Sequence, residues 1–253
     1  VIKKIDINND EIVGRLGNKL FQIAAGYSIA KQIGTEFVIP DWKYRIIFPN
    51  VKIDNDANIS KIYTEPSFTY SKPPVELFQE NVQINGYFQS DKYFSSREDV
   101  LKLFEFSEYI NSMADIAEKQ LDINVKDYVS IHIRRGDYVN LQHFYENLSN
   151  TEYYIDSINK CGEKKFIVFS DDIDFCIQYF SQFQGCEFIY SDNLETVDLC
   201  LMSRCKGNII ANSSFSWWGA YLNKNAKFVY MPKSWFKCEL DSKDLFVKGW
   251  NLI

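Results

Sequence analysis

The residues best suited to chemistry cluster in "YVSIHIRRGDYVN", residues 128–140, where an apolar strand pattern ends in two arginines, a glycine and an aspartate. Val129, Ile131 and Ile133 alternate with Ser130 and His132, the period of a strand. Carried two residues further, that alternation puts His132 and Arg134 on one side and Ile133 and Arg135 on the other. Arginine suits phosphate because its planar fork donates two parallel, charge-assisted hydrogen bonds and keeps its proton. Asp137 stands where it can hold an arginine in place or accept a proton. Two readings stay open on these residues alone: a strand end emerging into water, or an anion site that His132 and Arg134 face together. Arg135, Gly136 and Asp137 also spell an adhesion tripeptide, a pattern too short to carry weight.

Three further stretches place polar groups beside apolar segments. In "IIANSSFSWWGAYL", residues 209–222, a strand pattern runs through Asn212, Ser213 and Ser214 into a helix pattern. A helix N-terminus offers unpaired N–H groups and partial positive charge, so this turn suits an anion, or it is simply an N-cap. Trp217 and Trp218 suit packing, with stacking on a base or sugar as the alternative. In "GRLGNKLFQ", residues 14–22, Gly14 and Gly17 precede a helix; the spacing lets backbone approach a ligand or makes a tight turn, and it is neither GxGxxG nor GxxxxGK. In "FSDDIDF", residues 169–175, Asp171 or Asp172 would read a base or cap the next helix. The DxD triplets at Asp172–Asp174 and Asp54–Asp56 are of a kind that arises by chance, and no metal is assigned.

The elements that must position these residues alternate through the second half. Strands are expected at 128–133, 166–169, 186–190, 208–211 and 227–230. The intervening helices are expected near 173–180, 194–205 and 215–223. A further helix follows Ser149 and Glu152, which have capping-box spacing, and stops at Gly162. Five short apolar strands separated by helices predict an α/β fold with a parallel, doubly wound sheet, whose ligands sit outside the carboxyl ends of the strands. Three of the four polar stretches fall at such ends. The first half is less regular: a helix over 17–33 with Leu20, Ile23, Ala24, Tyr27 and Ala30 on one face, a strand at 36–39, loop over 41–74, a strand at 83–87 and helices at 96–104 and 107–121. The boundary is placed near residue 124, giving domains 1–124 and 125–253.

Composition bounds the partners. At 46% apolar and 25% charged residues over 253 positions, the chain suits one large or two small soluble domains. The net charge of −6 argues against nucleic acid, so any anion site is local. No apolar run reaches the roughly 20 residues of a membrane span, and no signal peptide is visible. The chain starts at Val1, which leaves room for a missing N-terminal anchor. Cys161, Cys176, Cys186, Cys200, Cys205 and Cys238 form no CxxC pair and read as reduced structural thiols. The sequons at Asn58, Asn147 and Asn212 carry little weight.

Taken in order, "GRLGNKLFQIA", "IHIRRGDYV", "FSDD", "ANSSFSWWGAYL" and "MPKSWF" resemble the alpha-1,2-fucosyltransferase family of bacteria and animals, over essentially the whole chain. The resemblance implies a GT-B architecture of two Rossmann-like domains with the active site between them. It implies GDP-fucose as donor, a galactoside-type glycan acceptor fucosylated with inversion on its 2-hydroxyl, and no metal or other cofactor. Carried over by position, Arg134 would contact the donor diphosphate, and His132 would lie beside the nucleotide. Ser213, Ser214 and Phe215 would supply the phosphate-binding turn, with Arg135, Asp171 and Asn212 completing the donor side. Gly17 and Asn18 would reach the sugar or acceptor, with Asn18 among the catalytic groups and Lys19 on the acceptor side. Asp137 would be a general base or an arginine's brace. Lys19 departs from the usual glutamine, and Arg15 from the glycine of bacterial members. Another sugar nucleotide, or a catalytically silent glycan- or nucleotide-binding protein, is the alternative. The expected setting is cytoplasmic with peripheral membrane association for a bacterial protein, or the Golgi lumen for a eukaryotic one.

Overall fold

The computed structural model describes residues 4–7 by their backbone and residues 15–56 and 58–253 in full, so Gly14 lies outside the described residues. The chain forms two compact units, Val1–Ser107 with Asp241–Val247 and Glu108–Leu240 with Lys248–Ile253.

The first unit contains a parallel sheet of β1 (Lys4–Ile7), β2 (Glu36–Phe37), β3 (Lys61–Thr64) and β4 (Val82–Asn85), in the order β2-β1-β4-β3. Helix α1 (Leu16–Ile33) buries Leu20, Phe21, Ile23 and Ala24, and stops at Gly34, whose φ of 69° lets its N–H reach the carbonyls of Ala30 and Lys31. Helix α2 (Arg97–Leu103) is capped by the Ser96 hydroxyl. Strand β3 falls inside the stretch expected to be loop. It is an edge strand with Ile62 exposed, so it lacks the apolar alternation that marks a half-buried strand. The turn after β4 is held from two sides. Glu65 accepts the N–H groups of Tyr87 and Phe88 and the hydroxyl of Tyr93, and Gln22 Nε2 donates to the carbonyl of Gly86 at 2.6 Å. Gly86 has φ 150° and Phe88 φ 51°, and a β-carbon on Gly86 would stand 2.4 Å from that of Glu65. The turn delivers Gln89, whose amide donates to Asn18 Oδ1 at 2.8 Å.

The second unit opens with α3 (Glu108–Gln120) and contains β5 (Val129–Ile133), α4 (Tyr153–Cys161), β6 (Lys165–Ser170), α5 (Ile173–Phe180), β7 (Glu187–Tyr190), α6 (Glu195–Met202), β8 (Gly207–Ile209), α7 (Ser214–Tyr221), β9 (Val229–Met231) and β10 (Asn251–Leu252). The break between units falls after Ser107, earlier than residue 124, because α3 is tied to the end of α6: Arg204 reaches Asp115 at 2.7 Å, Glu118 at 3.0 Å and Asn111 Oδ1 at 2.8 Å. The six strands pair in parallel in the order β10-β9-β8-β5-β6-β7. All residues of β5 are buried, as expected of a strand covered on both faces. From β5 the chain builds outward through β6 and β7, then returns to place β8 on the other side of β5. The order therefore reverses between β5 and β8, where doubly wound sheets open a crevice for ligands.

One local expectation needs correction, and one strand escaped the sequence reading. The capping box at Ser149 and Glu152 does not form. Ser149 lies in a short 3-10 turn held by Asn147, and Thr151 Oγ1 accepts the N–H of Tyr153 as α4 begins. Strand β10, two exposed residues pairing with β9, has no apolar period to reveal it. All six cysteines are free, with Cys176, Cys200 and Cys205 buried. Among the described residues no helix is long and apolar enough to cross a membrane. Because Gly86 combines a positive φ with direct backing by Glu65, Gly86→Ala is expected to lower stability by about 1–3 kcal/mol in chemical denaturation.

Candidate active site

Arg134 leaves the end of β5 and is clamped by two carboxylates. Its Nη1 donates to Asp171 Oδ2 and its Nη2 to Asp137 Oδ1, each at 2.5 Å. Asp171 comes from the end of the neighbouring strand β6, and its other oxygen accepts the backbone N–H of Arg135 at 2.9 Å. The Asp171 carboxylate lies so close to Gly136 that a β-carbon there would stand 2.3 Å from Oδ2. The glycine of the RRGD run is thus required by a contact and not by a positive φ. Of the five guanidinium N–H donors, these bonds use two. Arg134 keeps the rest on a side chain only 14% exposed.

Arg135 has a different environment. Its Nε donates to Asp172 Oδ2 at 2.8 Å, and its guanidinium carbon sits 3.6 Å from the centre of the Phe175 ring. Asp172 also caps α5 through the N–H of Phe175, and both bonds hold its pKa below the ordinary carboxylate value. The fold binds Arg135 to the β6–α5 turn, whereas the family resemblance counted it among the donor-side residues. Among the described residues, no group of three or more His, Cys, Asp or Glu side chains is arranged to hold a metal ion. Of the DxD triplets, Asp172 has the partners just given, and Asp54 accepts the N–H of Asp56 in a loop.

At the β5–β8 switch point, Asn212, Ser213 and Ser214 lead from β8 into α7. Asn212 is buried, and its amide donates to the carbonyls of Glu146 and Trp235, both at 3.1 Å, so its side chain secures the turn instead of facing a ligand. Ser213 stands at the N-cap with no side-chain capping bond. Ser216 takes over the local bonding, its hydroxyl meeting the N–H of Ala211 at 3.2 Å. Trp217 and Trp218 are fully buried and serve packing. Phe215 is half-buried, with its ring centre 5.5 Å from that of His132.

His132 is buried, and its Nδ1 has no hydrogen-bond partner among the described residues. Burial pushes the imidazole down to about 4, against the pull of the Asp171 charge, so it is neutral near pH 7. A second buried group, Asp198 in α6, was not singled out in the sequence. It accepts the hydroxyl of Ser191 at 2.5 Å, and burial raises its pKa to about 7. The available signal was a lone acid inside the apolar run "VDLCLM". Gly17, Asn18 and Lys19 belong to the first unit, in the first turn of α1. Gly17 is buried there and the other two half-buried, and the N–H groups of Asn18 and Lys19 turn back to the carbonyl of Arg15.

The two buried groups load stability with opposite signs. Asp198 has a raised folded pKa, so its cost builds as pH rises from the ordinary aspartate value toward 7; His132 has a depressed one, so its cost is relieved as pH rises from 4 toward 6.5. Asp198→Asn removes the first contribution alone. The stability of the variant relative to the parent is expected to climb by up to about 1.4 kcal/mol per pH unit between pH 4 and 7, then level off, in urea titrations at stepped pH.

Residues 2–253 match Glycosyl transferase family 11. The alpha-1,2-colitosyltransferase of Escherichia coli is 34% identical over 281 residues, covering 94% of this chain and 96% of its own. The galactoside alpha-(1,2)-fucosyltransferase 2 of Hylobates lar is 24% identical over 233 residues, 83% of this chain and 67% of that one. Among solved structures, POFUT1 in complex with GDP-fucose has a TM-score of 0.55 at 14% identity, covering 90% of this chain and 97% of that chain. NodZ alpha-1,6-fucosyltransferase soaked with GDP-fucose has a TM-score of 0.53 at 16% identity, covering 88% and 93%. At these identities the structures share the mixed α/β fold and its parallel sheet. The sequence match reaches further: the chain belongs to glycosyl transferase family 11, the fucosyltransferase family whose motifs it carries.

Proposed function

We propose that this glycosyltransferase moves L-fucose from GDP-fucose to the 2-hydroxyl of a terminal galactoside, with inversion and without a metal, in a GT-B arrangement whose second unit binds the donor. The observation that carries the reading is Arg134. It is clamped at the switch point of a parallel sheet, beside the turn that opens α7, with N–H donors to spare. In a single displacement the acceptor oxygen bonds to the anomeric carbon as the bond to the phosphate oxygen breaks. The electron pair leaves with GDP, and the proton of the acceptor hydroxyl passes to solvent water. Negative charge grows on the diphosphate, where Arg134 and the N–H groups opening α7 are preorganised to receive it. Neutral His132 lies beside the nucleotide, where a charged imidazole is not needed.

Each remaining site residue receives a role in this reading. Asp171 aims Arg134, Arg135 anchors the loop through Asp172 and Phe175, and Asn212 fixes the phosphate turn, while Ser213, Ser214 and Phe215 face the donor. Asp137 is assigned as Arg134's brace, because its carboxylate accepts a hydrogen bond from the guanidinium. Gly17, Asn18 and Lys19 are assigned to the sugar and acceptor on the family motif alone. A second reading keeps the chemistry and changes the sugar: the colitosyltransferase relative matches nearly the full length of both chains, and colitose is fucose without its 3-hydroxyl. Competition among GDP-fucose, GDP-colitose, GDP-mannose and UDP-galactose, read as nucleotide release on a galactoside, separates the readings. Binding without release on any acceptor marks a silent binding protein.

Arg134→Ala is expected to slow transfer by roughly 10²–10³-fold, the effect of deleting one preorganised donor to a developing charge; a near-normal rate with GDP-fucose contradicts the assignment. Asp137→Asn keeps an oxygen for the guanidinium and is expected to retain activity within about tenfold, whereas loss of a general base costs about 10²–10⁴-fold.

A further inference from the structure

Tyr138 touches both the loop after β5 and the turn after β8. It lies in the short turn Gly136–Val139 that follows the arginines. The guanidinium carbon of Arg134 is 5.5 Å from its ring centre, within the range where a cation is attracted to an aromatic face. The ring also stacks on Tyr145, with centres 3.8 Å apart and planes within 6°. Its hydroxyl donates to the backbone carbonyl of Asn212 at 3.0 Å, the residue that begins the turn into α7. The far side of that bond is itself fixed, since the Asn212 amide holds two other carbonyls. Burial and the neighbouring Tyr145 raise the pKa of the phenol, so it remains a donor.

We infer that Tyr138 is a positioning residue for the donor diphosphate, setting the separation between the Arg134 guanidinium and the N-terminal turn of α7 so that phosphate oxygens can engage both. The inference rests on the reading of Arg134 and that turn as the diphosphate site. The two groups come from loops after different strands, and among the contacts described the tyrosine is a side chain that meets each. A tyrosine that only stabilised its own loop would affect all nucleosides alike. One that sets the phosphate geometry affects ligands according to whether they carry phosphate.

The test is calorimetric titration of the full chain and of Tyr138→Phe and Tyr138→Leu with GDP and with guanosine, with the fold of each variant checked by near-UV circular dichroism. Tyr138→Phe removes the bond to Asn212 and leaves the ring beside Arg134. It is expected to weaken GDP binding about fivefold, the worth of one ordinary hydrogen bond, with guanosine unchanged. Tyr138→Leu also removes the aromatic face and is expected to weaken GDP by a further factor of about 2–5, again sparing guanosine. Equal weakening of GDP and guanosine, or unchanged GDP affinity in Tyr138→Phe, overturns the inference while leaving the donor reading in place. A parent protein that does not prefer GDP over guanosine overturns the donor reading, and the inference falls with it.

Discussion

The clamp on the Arg134 guanidinium is the constraint from which the rest of the candidate site follows. A long cationic side chain at a strand end would ordinarily sample many rotamers in water. Here Asp171 holds one edge and Asp137 the other. Asp171 can do so because β6 pairs with β5 in register, Ile133 opposite Ser170, which brings the residue after β6 level with the residue after β5. Its carboxylate then occupies the space a side chain at position 136 would need, and glycine is the residue that yields it. The same carboxylate accepts the backbone N–H of Arg135 and so orders the start of the loop. Strand pairing, a glycine and an acid 37 positions away thus serve one guanidinium.

Local charge makes that geometry more important than the sign of the surface. The two arginines face three carboxylates, those of Asp137, Asp171 and Asp172. In the proposed reading the cluster would draw an anion through aimed hydrogen bonds and the end of α7, not through excess positive charge. This agrees with a chain whose net charge is −6. Two buried groups titrate away from their ordinary values: His132 is neutral near pH 7, and burial in α6 raises the pKa of Asp198 to about 7. Their pH loads have opposite signs between pH 4 and 6.5, so variants at the two positions shift stability in opposite directions.

The sequence was legible where burial imposes a period. The five predicted strands of the second unit correspond to β5–β9: β5, β6, β8 and β9 are largely buried and read as short apolar runs, and the edge strand β7 keeps the apolar run Phe188–Tyr190. Strands β1, β3 and β10 were not read from the sequence; β3 and β10 are mostly exposed and carry no apolar period. Residue types also located the arginines, the Asn212–Ser214 turn and the aspartates at the end of β6. They could not say which arginine meets which aspartate, because that depends on two adjacent acids emerging from a neighbouring strand. Asp198 looked like an ordinary helical acid until the fold buried it against Ser191. Tyr138 looked like one more aromatic residue, because its partner Asn212 lies 74 positions away.

The most direct measurement of the central claim is a crystal structure of the protein bound to GDP. A diphosphate oxygen is expected at hydrogen-bond distance, about 3 Å, from the Arg134 guanidinium, with another at the N–H groups that open α7. A diphosphate bound elsewhere, with Arg134 still engaged by Asp171 and Asp137 alone, would contradict it.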